Sequence, residues 1–188
     1  MLLKKGIHLN IIHNINRPMN EMLLGFKSWL PLYMIGSITP YYFEKPIGKI
    51  FSHMHCTSGS VALVGECPKG QENNCKLYIT TKKEELNYYK NKTDVLLANS
   101  KPLMVIYKEN NKKDFQEFIH TEKSNKSNSI YKVANKLLEK NYKNIGFTIC
   151  RDKWITISKN TKYRIHFVIY HPKLRAAIEN FLTNLTEN

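Results

Sequence analysis

Apolar residues fall into short alternating bursts near the C-terminus. Segments 145–150 (IGFTIC), 154–158 (WITIS) and 163–170 (YRIHFVIY) each carry a strand pattern, and short turns separate them. Pro172 then opens a helix at its first turn. Leu174, Ala177, Ile178, Phe181 and Leu182 form the buried stripe of that helix. Further upstream, 129–141 (SIYKVANKLLEKN) reads as an amphipathic helix with Ile130, Val133, Leu137 and Leu138 on one face. Residues 102–107 (PLMVIY) form an apolar run of strand length. Segment 108–128 is charged, with Phe115, Phe118 and Ile119 as its main apolar residues, and reads as an exposed connection with one helical turn.

The first half follows the same logic. Met22, Leu23, Phe26, Trp29 and Leu30 have helical spacing after a candidate cap at Asn20, and Pro31 limits that helix. Tyr41, Tyr42 and Phe43 are strand formers, and Glu44-Lys45-Pro46 reads as a turn. A strand resumes over 47–55, with His53 and His55 on one face. Segments 60–65 (SVALVG) and 75–81 are further strands around a turn at 68–74, and a short polar helix follows to Asn91. Residues 1–17 form either a flexible start or a first helix. This order predicts an α+β fold: one domain over 1–188, a mostly antiparallel central sheet and flanking helices.

Charge sharpens the picture. The 188 residues carry 29 basic against 15 acidic side chains, a formal net charge of +14. Such a chain attracts acidic partners, whether nucleic acid, anionic lipid or an acidic carrier protein. Only Arg17, Arg151, Arg164 and Arg175 are arginines, and lysine supplies the rest. Arginine is the residue that reads guanine edges bidentately, so its scarcity argues against sequence-specific nucleic-acid recognition. The lysine, asparagine and isoleucine content also fits an AT-rich coding bias, which explains the charge without a partner. The longest uncharged stretch, 28–43, is too short to span a bilayer and contains Pro31 and Pro40. A cytoplasmic protein with reduced thiols is the expectation, although Cys67 and Cys75 flank a turn and would be close in a hairpin.

Reactive side chains cluster around residue 55. His53, His55 and Cys56, with Cys67 and Cys75, offer zinc-ligand chemistry, but their spacing is irregular for a tetrahedral site. His53-Met54-His55 also resembles the His-hydrophobic-His metal site of rolling-circle replication nucleases. That resemblance implies a divalent metal on His53 and His55, with Tyr89 as nucleophile and Lys92 beside it. Solvated strand histidines are the plainer explanation of the same residues.

His13, followed by Pro18, resembles the first element of the toxin-activating lysine acyltransferases, the family that acylates internal lysines of bacterial pore-forming protoxins. Pro31 with 36–43, Pro46-Ile47-Gly48 with Ser52, and SIYKVANKLLEKNYKNIGFTIC resemble later elements of that family. The chain departs from the pattern at Ser37 or Ile38, where the family has Gln, and at His53, where it has Trp. Tyr107 stands in place of the family's catalytic Asp, with Glu109 and Asp114 the nearest acids. The resemblance implies an acetyltransferase-like fold, His13 as catalytic base or nucleophile, and no bound cofactor. It further implies an acidic acyl-carrier protein as acyl donor and a protein lysine as acceptor. The basic surface would then dock the carrier. A non-catalytic interaction domain is the third reading.

Overall fold

The computed structural model describes residues 8–44, 50–133, 144–159, 161 and 164–186; of 51–53, 72 and 184–186 it describes the backbone only. Over these residues the chain is α+β, with four helices and eleven strands in three sheets. Every pairing in the five-stranded sheet and in the sheet of the second unit is antiparallel. None of the described helices is long and apolar enough to cross a membrane. The chain separates into two compact units, Met1–Tyr41 with Pro102–Asn188, and Tyr42–Lys101.

The first unit opens with strand β1 (Leu9–His13), so the segment read as flexible or helical is extended where it is described. Leu9 N–H donates to the Ser37 carbonyl, which ties β1 to β2 (Ile38–Tyr42). Helix α1 (Met19–Tyr33) lies between them. Its N-cap is Pro18 rather than Asn20, and no side chain caps it. It also runs through Pro31, which sits in the last turn. There the helix has few turns left to disrupt, so a missing N–H is tolerated. Gly36 ends the turn at φ 77°, a left-handed conformation that favours glycine. Lys108 Nζ donates to the Gly36 carbonyl and Lys159 Nζ to that of Met34, placing two cations at the negative end of the helix.

The five-stranded sheet runs β7-β11-β10-β9-β8, built from β7 (Val105–Tyr107), β8 (Ile130–Lys132), β9 (Ile145–Cys150), β10 (Trp154–Lys159) and β11 (Ile165–Ile169). The register aligns Ile149, Ile155 and Ile169, and likewise Phe147, Ile157 and Phe167, on one face. That face is solidly apolar, and Tyr33 of α1 meets Phe167 at 6.3 Å between ring centroids. Helix α4 (Pro172–Thr186) packs on α1, with Lys27 Nζ 4.3 Å from the Phe181 ring.

The other face carries Trp154, Thr156, Ser158, His166 and Val168, and helix α3 (Lys112–Ser124) lies over it. Most of segment 108–128 is therefore a helix, Lys112–Ser124, with a packed face. Phe115, Phe118 and Ile119 are its apolar stripe, set against Cys150, Trp154 and Val168. Trp154 Nε1–H donates to Glu122 at 2.6 Å, and the Asn128 amide donates to the same carboxylate at 2.9 Å. The helix expected over 129–141 is replaced at its start by β8, where Ile130 pairs with Cys150 and Lys132 with Thr148. The edge of the sheet claims those three residues, and pairing overrides their local preference. Residues 134–141 of that expectation lie outside the described residues.

The second unit contains β3 (Phe51–Thr57), β4 (Ala62–Pro68) and β5 (Lys76–Thr80), an antiparallel meander in that order. Helix α2 (Lys83–Ala98) packs on β3 and β4 and is longer than the short helix expected. The expected turn at Lys45-Pro46 and strand start at 47–49 lie outside the described residues. The short β6 (Lys101–Pro102) joins the sheet β1-β2-β6, where the chain returns to the first unit.

Candidate functional site

His13 stands at the end of β1, half-buried, not on a helix. Its Nε2 lies 2.6 Å from the Tyr33 hydroxyl. The imidazole also meets the rings of Trp29 and Tyr33 edge-on, at 5.9 and 6.0 Å. The sequence dictates this enclosure locally. Trp29 and Tyr33 are four residues apart, so they line one side of α1. The turn through Gly36 then pairs β1 with β2 beside that helix.

Burial, and secondarily the Arg17 charge, pull the His13 pKa from 6.5 down to about 4. Burial also pushes the Tyr33 phenol up, out of its ordinary range. At neutral pH the pair is an uncharged imidazole in a hydrogen bond with a protonated phenol. With the phenol donating to Nε2, the ring hydrogen sits on Nδ1; in the other tautomer Nδ1 is the open lone pair. In the second tautomer the arrangement holds a neutral nitrogen base, Nδ1, in a fixed orientation, with Nε2 anchored on the Tyr33 hydroxyl.

The strand register separates the histidine positions of the candidate zinc set from Cys56 and Cys67. In the β3–β4 register, His55 pairs with Val64 and Cys56 with Leu63, so positions 55 and 56 face opposite sides of the meander. Position 53 shares the parity of 55, and Cys67, opposite Ser52, shares that of Cys56. Histidine and cysteine positions are thus divided between two faces. Among the described residues no group of three His, Cys, Asp or Glu side chains could hold a metal ion. None of the four cysteines is in a disulfide. The His53 side chain lies outside the described residues. Tyr89 lies on α2, half-buried, against Tyr88 at 5.1 Å between ring centroids. Lys92 is half-buried on the same helix. Tyr107, Glu109 and Asp114 belong to β7, the turn after it and the first turn of α3.

A second histidine pair was not foreseen. His166 Nδ1 lies 2.8 Å from Ser158 Oγ across the β10–β11 ladder, and Phe115 stacks on the imidazole at 3.9 Å. Both residues line a cavity of about 330 Å³. The available signal was polar residues at matching positions of two otherwise apolar strands. The chain matches no protein-family model, and neither a curated protein nor a solved structure is similar to it at a significant level.

Proposed function

We propose that this protein transfers an acyl group from an acidic acyl-carrier protein to a lysine of a protein substrate, with His13 as the base and an acetyltransferase-like arrangement around it. The observation that carries the reading is the His13–Tyr33 pair, a half-enclosed imidazole held neutral and oriented. The neutral lysine nitrogen attacks the thioester carbonyl carbon, a C–N bond forms and the C–S bond breaks. The proton lost by the amine passes to His13 and from there to the departing thiolate. No electrons are exchanged and no cofactor is consumed.

A base with a pKa of about 4 is weak, which limits its value at neutral pH. The negative charge of an acidic carrier offsets the Arg17 contribution, the smaller of the two causes, and so moves the imidazole part of the way back towards its ordinary basicity. The net charge of +14 supports the same partner, because complementary charge accelerates encounter.

The test uses an acyl-loaded carrier protein and a lysine-bearing protein acceptor, with release of the carrier thiol as readout. His13→Gln lowers turnover by roughly 10²–10⁴. Tyr33→Phe removes the orienting hydroxyl while keeping the ring, and has a smaller effect. Thiol release at the rate of a protein-free control, or full turnover by folded His13→Gln, sinks the proposal.

A further inference from the structure

We propose that the cavity between α3 and the second face of the five-stranded sheet binds a small anionic amphiphile, a monocarboxylate with an apolar tail. This site is independent of His13, because the Tyr33 that bonds His13 packs on Phe167, whose face is opposite that of His166 and Ser158.

The argument starts from an asymmetry between the faces. The first face is closed by isoleucine and phenylalanine. On the second face, among the described residues, Trp154, Val168 and Cys150 form the apolar cluster beneath α3. The other half of that face is a polar grid. The register sets Thr148 beside Thr156, and Gly146 beside Ser158 beside His166. Gly146 places no side chain between the strands and the helix above. Hydroxyls and an imidazole beneath a helix contribute little to a core, because desolvation opposes their burial. They suit a floor that orients a polar ligand group.

The roof is apolar, formed by Phe115 and Ile119. At the mouth stand Lys123 and Lys132, both exposed. No acidic side chain is among the described residues that line the cavity. Burial, and then the Arg164 charge, depress the His166 pKa, so the imidazole adds a neutral hydrogen-bonding group rather than a third cation. The volume, about 330 Å³, lies at the small end of the range for ligand sites. Cationic mouth, apolar roof and hydroxyl floor together select a single negative charge on a compact apolar body.

The probe is decanoate, kept below its micellar concentration. Trp154 lines the cavity, and the chain has two tryptophans, so Trp29→Phe leaves Trp154 as the sole indole reporter. Wild type is titrated by calorimetry and Trp29→Phe by fluorescence. Both show saturable binding of decanoate, and neither binds acetate or decanol comparably. Charge reversal by Lys123→Glu with Lys132→Glu weakens binding at least about tenfold, since two attractions become two repulsions. Thr148→Phe fills the floor and abolishes binding. The two lysines are exposed, so their reversal leaves the fold intact, as circular dichroism verifies, and that variant decides the matter should Thr148→Phe fail to fold. Absence of saturable binding, decanol binding equal to decanoate, or wild-type affinity in the charge-reversed protein overturns the assignment.

Discussion

His13 ordinarily would take up a proton near pH 6.5, and in the folded chain it waits until about pH 4. The unfolded chain therefore binds that proton first. Stability from this group is fully present above pH 6.5 and falls as pH drops from there towards 4. Because the ring keeps some solvent contact, the loss is about 1–3 kcal/mol. His166 and His171 are lowered as well, chiefly by burial, and act with the same sign. Denaturant midpoints at pH 7.5 and pH 5 should differ in wild type and differ less in His13→Gln; equal pH sensitivity of the two proteins would contradict the burial of His13. The sequence marks His13 as a candidate, but not what surrounds it. Tyr33 lies 20 positions away, and no pattern around residue 13 announces a partner that only the Gly36 turn delivers.

Elements were legible in proportion to how much of their environment is local. The strands β9, β10 and β11 bury most of their residues, and their sequences say so in runs of isoleucine, phenylalanine and valine. Helix α4 shows a full apolar stripe behind a proline start. Phe181, 6% exposed beneath Lys27, should cost about 3–5 kcal/mol on truncation to alanine. A denaturant melt that moves by well under 1 kcal/mol would show that the α1–α4 contact contributes little. Helix α3 was obscured because its stripe is three residues, Phe115, Phe118 and Ile119, among charges. The spacing is helical, but the apolar content is that of a loop. β8 was hidden for the opposite reason. Its residues suit a helix locally, and only the edge of β9, more than ten positions on, recruits them.

At the scale of the whole molecule, the two units differ in how much they bury. The first holds nearly all the large buried side chains, including Trp154, Phe147 and Phe167. Among the described residues, the second buries Ala62, Gly65, Cys67 and Thr80, and α2 buries none of its own. Amide protection follows the depth of such packing. Hydrogen exchange by mass spectrometry should leave β9, β10 and β11 as the slowest segments and β3, β4 and β5 far faster. Equal protection in the two sets would mean that the second unit draws stability from more than its own core.

The first unit is interrupted: its opening 41 residues are separated from the remainder by the whole of the second. On the ribosome this order imposes a wait. Helix α1 emerges early with Phe26, Leu30 and Tyr33 ready to be buried, yet α4 and the strand carrying Phe167 come last. At ordinary elongation rates the delay is on the order of ten seconds. During that interval the nascent chain presents an apolar helix face and an incomplete sheet edge, the surfaces that chaperones bind and that aggregate when unattended. The opening 41 residues thus stay exposed until the strands and helix that cover them have been made.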